Sequence, residues 1–287
     1  MAVWGFQGSP NLHTRGSIEA FTRISSPEKW LYAHGRKKWE TYYGADAVAT
    51  QKRFFDHYLK GEDNGWRATP RVRIEVRNAY HRQDVRYEAR WPLADTRFVP
   101  LYLDAAGGHL HIKAVTTEAH VAYDAIRGQV VFSLALPEAV ELTGEAKLRI
   151  WVSTSDGDDL DLFVVLKKFD EHGQEVFFSG FNGYRKDAVA KGWLRVSHRA
   201  LDPSRNRPPG SRRPRGSKSG FSLETQRNIR PSAITASSIA ARIESIAVGA
   251  SIHTFSCPWS GARFARPSDL TYVVFVVAGF FSAEYRR

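Results

Sequence analysis

The densest group of side chains that could bind a metal ion is an acidic cluster in the middle of the chain. It consists of Asp156, Asp158, Asp159 and Asp161. Closely spaced carboxylates supply the oxygen ligands that Ca²⁺ prefers. The cluster lacks the glutamate at position twelve of an EF-hand loop, however, and Asp161 falls inside an apolar run that favours a strand. We therefore interpret the cluster as a structural turn, in which Asp161 bonds to neighbouring loop backbone, rather than as a calcium site.

Two histidines form a second group that could bind a metal ion. His109 and His111 are two residues apart, which places both imidazoles on one face of a strand. Two imidazoles without a third ligand are usually solvated, because protein zinc sites use at least three side chains. The single cysteine, Cys257, excludes an intramolecular disulfide and a zinc site built from cysteines. The sequence thus predicts neither a metal ion nor a cofactor.

The acidic cluster joins two predicted strands within residues 147–173, KLRIWVSTSDGDDLDLFVVLKKFDEHG. Leu148, Ile150 and Val152 alternate with mainly polar residues, which is the pattern of a half-buried strand. Residues 160–166 are apolar on both faces, which is typical of a central strand covered by a second layer. The stretch therefore predicts a hairpin in the core of a β-sandwich.

The rest of the chain divides into an α/β segment and further strands. Residues 17–24 and 46–60 have the apolar spacing of helices, and the predicted face of the second helix consists of Val48, Gln51, Phe55, Tyr58 and Leu59. Residues 29–33 predict a strand that leads into a loop. Further strands are predicted at residues 71–77, 99–104, 129–136, 175–181 and 193–196. About seven short strands separated by turns are typical of a sandwich, so the fold class is mainly β with an α/β segment in front.

The net charge of +11 lies mainly in the last part of the chain. Residues 204–287 hold 13 Lys or Arg and 4 Asp or Glu, and they begin with SRNRPPGSRRPRGSKSG, a composition that predicts disorder or at most isolated ordered segments. The sequence shows no secretory signal, and its longest apolar run, residues 272–281, is shorter than the ~20 residues of a membrane helix. These features predict a cytoplasmic protein that does not bind membranes.

Several motifs occur in the order of a known family. Ser153 ends a strand, residues 158–166 follow an Asp-rich turn, residues 170–173 form a second turn, and residues 192–199 read GWLRVSHR. Earlier in the chain occur LHTRG at 12–16, KWL followed by His34-Gly35, and QKRFFDHYLKG at 51–61. Together they resemble the C-terminal part of the X-Pro dipeptidyl-peptidase and cocaine-esterase-like (CocE/NonD) serine hydrolases.

The resemblance implies a division into three parts. Residues 1–62 resemble the end of an α/β-hydrolase domain, and residues 63–203 resemble a jelly-roll, galactose-binding-like β-sandwich. The family's remaining sandwich strands and their Pro-Gly-Glu turn are not recognisable in residues 204–287. We therefore expect the resemblance to end near Pro203, and a tail that results from a shifted reading frame or a retained intron.

The resemblance also implies a catalytic triad of Ser, Asp and His, of which one member is recognisable. The G-x-S-x-G elbow that exposes a nucleophilic serine occurs nowhere in the 287 residues. The acid is expected after Trp4, where residues 5–10 contain no carboxylate. The base is expected in the loop after the KWL strand, which makes His34 the candidate catalytic residue. His13, in the LHTRG motif, is interpreted as a helix-entry residue.

Three functions compete. The first is a truncated serine hydrolase whose relatives cleave small X-Pro peptides, esters or amides. The second is a non-catalytic sandwich that binds carbohydrate or protein. Its available aromatic side chains are Trp151, Phe177, Phe178, Phe181 and Tyr184. The third is a nucleic-acid binder that uses the Arg-rich tail; we consider nucleic acid an unlikely partner, because the basic charge is confined to that tail.

Overall fold

The computed structural model describes residues 3–7, 14–125, 127–136, 140–144, 146–154, 159–180, 184–196, 221–226, 238–250 and 271–280, with only the backbone at 3–7, 15, 154 and beyond 196. The helices are α1 (Thr14–Arg23), α2 (Lys38–Tyr42) and α3 (Ala45–Lys60), and a 3₁₀ turn spans Trp66–Ala68. The strands are β1 (Val3–Gln7), β2 (Lys29–Ala33), β3 (Val72–Ala79), β4 (Arg82–Glu88), β5 (Arg97–Asp104), β6 (His109–His111), β7 (Val121–Asp124), β8 (Val130–Leu136), β9 (Ala146–Thr154), β10 (Asp161–Phe169), β11 (Glu175–Val176), β12 (Ala190–Arg195), β13 (Phe221–Gln226), β14 (Ser238–Ala250) and β15 (Thr271–Phe280). Two compact units result, one of residues 1–94 and 177–187 and one of residues 95–176 and 188–287.

The first unit contains a four-stranded sheet in the order β1-β2-β3-β4. β1, β2 and β3 are parallel, whereas β4 returns antiparallel to β3. The sequence assigns residues 71–77 to the sandwich, and this assignment is wrong, because Val72 of β3 pairs with Leu31 of β2. The alternating pattern identifies the strand but contains no information about which sheet it joins.

Helices cover both faces of this sheet. Phe21 of α1 packs with Leu31, Val72 and Ile74 on one face. On the other face, Phe54 of α3 packs with Trp30 and Trp66, and the rings of Trp30 and Trp66 are 5.2 Å apart. The helix ends at Gly61, whose φ of +72° is the left-handed conformation that glycine adopts without strain. Within the described residues, no helix has the length and apolar character needed to cross a membrane.

The packing face predicted for α3 is correct at Tyr58 and wrong at three other positions. Tyr58 is half-buried and packs beside the buried Phe54, whereas Val48, Phe55 and Leu59 are exposed. Adjacent apolar residues give this helix two apolar stripes, and only the position of Trp30 and Trp66 decides which one is buried.

The second unit contains an eleven-stranded sheet, in which nine strands follow the order β11-β10-β15-β8-β6-β5-β14-β9-β13. β12 pairs with β10 and β7 pairs with β14 beside this path. The predicted central position of β10 agrees with its pairing to β12 on one side and β15 on the other. The fold is therefore mainly β, as the sequence predicts.

The predicted hairpin between β9 and β10 is wrong, although both strands exist. β9 pairs with β13 and β14, so it is not a neighbour of β10 in the sheet. Alternate residues of the two strands, Leu148 and Ile150 from β9 and Leu162 and Val164 from β10, enter one buried cluster. Burial of both rows in a common core can therefore replace direct hydrogen bonding between sequential strands.

Three strands lie in the region for which the sequence predicts disorder. β13 pairs with β9, β14 pairs with β5, β7 and β9, and β15 pairs with β8 and β10. Over these strands the prediction of disorder is wrong. The composition argument depended on residues 204–220, which lie outside the described residues.

Candidate active-site residues

The candidate base, His34, directly follows β2. This strand lies between β1 and β3 in the parallel part of the sheet. Functional side chains of α/β sheets collect at the carboxyl ends of such strands, because the loops there converge. His34 is 6% exposed, and its ring contacts that of Tyr32 edge to face, with 6.1 Å between the centroids. The loop thus holds the imidazole at the sheet edge with little access to water.

The hydrogen bond of His34 defines its neutral form. The backbone N–H of Arg36 donates to Nδ1 of His34 over 3.3 Å. Because Nδ1 accepts, the proton of the neutral imidazole resides on Nε2. The pKa of His34 is lowered to about 4, mainly by burial; the charge of Glu75 opposes this shift, and the charges of Arg36 and Arg73 add to it. At pH 7 the side chain is therefore a neutral imidazole.

Glu75 of β3 is a functional candidate that sequence reasoning missed. Its side chain is 1% exposed, and it forms ion pairs with Arg36 at 2.7 Å and Arg73 at 3.2 Å. The backbone N–H of Gly35 donates to its Oε2 over 3.2 Å. The available signal was the single acidic residue in the alternating row Arg71, Arg73, Glu75 and Arg77.

The two described residues of the acidic cluster, Asp159 and Asp161, form hydrogen bonds within the protein. Asp161 forms a bidentate pair with Arg195 of β12, with both N–O distances at 2.9 Å, and Asp159 accepts a hydrogen bond from the backbone of Leu160. The pair raises the pKa of Arg195. Asp161 therefore bonds to a side chain of the neighbouring strand rather than to loop backbone. Asp156 and Asp158 lie outside the described residues.

His109 and His111 are exposed on β6 and have separate partners. His111 Nε2 lies 3.6 Å from Asp104, and His109 Nδ1 lies 3.4 Å from the hydroxyl of Ser133. Asp104 is itself engaged by the backbone N–H of Ala106. Among the residues with described positions, no group of three or more His, Cys, Asp or Glu is arranged to hold a metal ion.

The remaining site predictions fall partly outside the description. His13 and Phe181 lie outside the described residues, and Trp4 is described only as backbone of β1, opposite Trp30. Phe178 is buried, with the guanidinium of Arg77 over its ring at 4.8 Å. Of the aromatic side chains considered for carbohydrate binding, Tyr184 is exposed, and Trp151 and Phe177 are half-buried.

Comparison with known proteins identifies the family of this chain. The X-Pro dipeptidyl-peptidase C-terminal non-catalytic domain matches residues 64–240. The chain belongs to this family, and it is also similar to cocaine-esterase-like hydrolases. The expected end of the resemblance near Pro203 is therefore wrong, because the match continues to residue 240.

The similar proteins are hydrolases. Cocaine esterase from Rhodococcus sp. (strain MB1 Bresler) is 37% identical over 67 residues, which cover 23% of this chain and 11% of the esterase. A crystal structure of a CocE/NonD family hydrolase from Staphylococcus aureus matches 97% of this chain and 46% of its own chain, with 32% identity and a TM-score of 0.73. A second crystal structure of that hydrolase matches 98% and 54%, with 29% identity and a TM-score of 0.70. The chain spans about half the length of the hydrolase in these structures.

Proposed function

We propose that this chain carries the base-bearing loop and the C-terminal sandwich of a serine hydrolase that acts on X-Pro peptides, esters or amides. We further propose that the chain alone does not perform acyl-enzyme chemistry. The family membership and the position of His34 after a parallel strand support the first part. The second part is supported by the sequence, which contains no G-x-S-x-G elbow.

The observation that carries the proposal is the hydrogen bond at Nδ1 of His34. In a Ser-His-Asp triad, Nδ1 donates its proton to the acid, and Nε2 accepts the proton of the serine. Here Nδ1 accepts the N–H of Arg36, so the proton resides on Nε2, the atom that must be free of it. The histidine is thus neutral, as a general base must be, but in the opposite tautomer.

The organisation that goes with this function has two parts. We propose that residues 1–62 correspond to the end of an α/β-hydrolase domain and that the sandwich is a jelly roll of the galactose-binding-like type. The parallel arrangement of β1, β2 and β3 supports the first assignment. The common core of β9 and β10, which belong to different parts of the sheet path, supports the second.

The proposal is tested by incubating the purified chain with an X-Pro-p-nitroanilide and with an aryl ester. We expect hydrolysis no faster than in buffer, because the G-x-S-x-G elbow supplies both the nucleophile and an N–H of the oxyanion hole, and this sequence contains none. The matched control is His34→Gln, which should give the same background rate. Turnover that phenylmethylsulfonyl fluoride abolishes and that His34→Gln lacks would contradict the proposal.

A further inference from the structure

One face of the four-stranded sheet pairs aromatic side chains with arginines. Trp30 and Tyr32 alternate along β2, and the guanidinium of Arg71 lies 4.1 Å from the centre of the Trp30 ring. The guanidinium of Arg73 lies 4.0 Å from the centre of the Tyr32 ring, in agreement with the Tyr32–Arg73 strand register. Each of these two rings thus forms a cation–π interaction with an arginine of the neighbouring strand.

The row of charged side chains along β3 changes from basic to acidic at the position next to His34. Two residues beyond the Tyr32–Arg73 pair, β2 leads to His34 and β3 continues to Glu75. Residues two apart along a strand share a face, so the carboxylate of Glu75 belongs to the same row as the two arginines. The next residue of the row, Arg77, is again basic and lies over Phe178. Within this row the acidic side chain is therefore opposite the histidine.

Glu75 binds the loop that carries His34. Its Oε2 accepts the backbone N–H of Gly35 at 3.2 Å, and its Oε1 accepts Nη2 of Arg36 at 2.7 Å. Arg36 in turn donates its backbone N–H to Nδ1 of His34. A carboxylate buried to this extent persists only when donors satisfy it, so the loop and the carboxylate fix each other.

The charges around His34 oppose each other. Arg36 and Arg73 disfavour a proton on the imidazole, and Glu75 favours one. Without the carboxylate, two guanidinium groups would face the ring uncompensated.

We propose that Glu75 is a positioning residue for His34, whose carboxylate fixes the loop of residues 34–36 and offsets the charges of Arg36 and Arg73. The inference rests on the proposed role of His34 as the base. It assigns Glu75 no contact with substrate.

The test is a titration of His34 in the full chain by NMR of the imidazole nitrogens, between pH 8 and pH 4. With a pKa of about 4, roughly a quarter of the wild-type rings are protonated at pH 4.5. In Glu75→Gln we expect the pKa to fall by on the order of one unit, so that only about a few per cent are protonated. The amide of Gly35 should also lose its protection from exchange.

A purely structural effect gives the opposite sign. If Glu75→Gln only loosened the loop, water would reach His34 and its pKa would rise towards 6.5. An unchanged or raised pKa in Glu75→Gln would therefore overturn the proposal. Glu88→Gln is the matched control, because it removes another ion-paired carboxylate of the same sheet, and it should leave His34 unchanged.

A second variant decides the matter if Glu75→Gln does not fold. Arg36→Gln removes one of the two opposing cations but keeps the backbone N–H, so the pKa of His34 should rise while Nδ1 remains the acceptor. A pKa that does not move would overturn the proposal as well. Since neither readout depends on turnover, failure of this inference is distinguishable from failure of the proposed function.

Discussion

Acidification should destabilise the first unit of the wild-type chain more than that of a variant in which His34 is replaced by a residue that cannot be protonated. The folded state holds this imidazole at a pKa of about 4, whereas an unfolded chain gives 6.5. A lowered histidine pKa costs nothing above the unfolded value, and it costs stability as the pH falls from 6.5 towards 4, because the unfolded state binds the proton first. At ~1.4 kcal/mol per pKa unit, the loss is about 1.4 kcal/mol at pH 5.5 and roughly 3 kcal/mol at pH 4.

The assay is urea unfolding of the full chain at several pH values, followed by the indole NMR signals of Trp30 and Trp66. Both indoles are buried in the first unit, so they report its unfolding. His34→Gln is neutral at every pH and should lose about 1.4 kcal/mol less than wild type between pH 7.5 and pH 5.5. Parallel stability curves for the two proteins would refute the buried, neutral histidine.

Two further predictions concern the second unit. Leu162→Ala should lower the free energy of unfolding by ~3 kcal/mol, since Leu162 is fully buried in the core and the substitution leaves a cavity. Val131→Ala, on the exposed side of β8, should lower it by less than about 1 kcal/mol. Equal shifts in the two urea midpoints would argue against the core as described. Asp161→Asn should lower the unfolding midpoint in wild type but much less in an Arg195→Gln background, because the bidentate pair is already lost there, and additive effects in this double-mutant cycle would show that the pair contributes no coupling.

Individual strands and helix ends were predictable from the sequence where a short segment contains all the residues that determine them. The strand at Lys29–Ala33 is found at the predicted residues, since an apolar run bounded by polar residues needs no distant partner to be recognised. The end of α3 at Gly61 follows equally from one residue type. His34 was located through the order of motifs around it, and the structure places it in the expected loop after β2.

Pairing and charge burial were not predictable, because both depend on residues far away in the sequence. β9 and β10 have the patterns of strands, but their neighbours in the sheet include β14 and β15, about 100 residues further along the chain. Glu75 has the pattern of a solvated strand residue. Its burial follows from Arg36 in the preceding strand's loop, which no local pattern shows.

We propose that His34 corresponds to the base of a serine hydrolase, and the 287 residues contain no G-x-S-x-G elbow with a serine for it to activate. The most direct test is the intact mass of the purified chain after incubation with a serine-directed fluorophosphonate. We expect no adduct, because Nδ1 of His34 accepts the N–H of Arg36 and the sequence contains no G-x-S-x-G elbow. A single covalent adduct on one serine that forms in wild type and not in His34→Gln would contradict it.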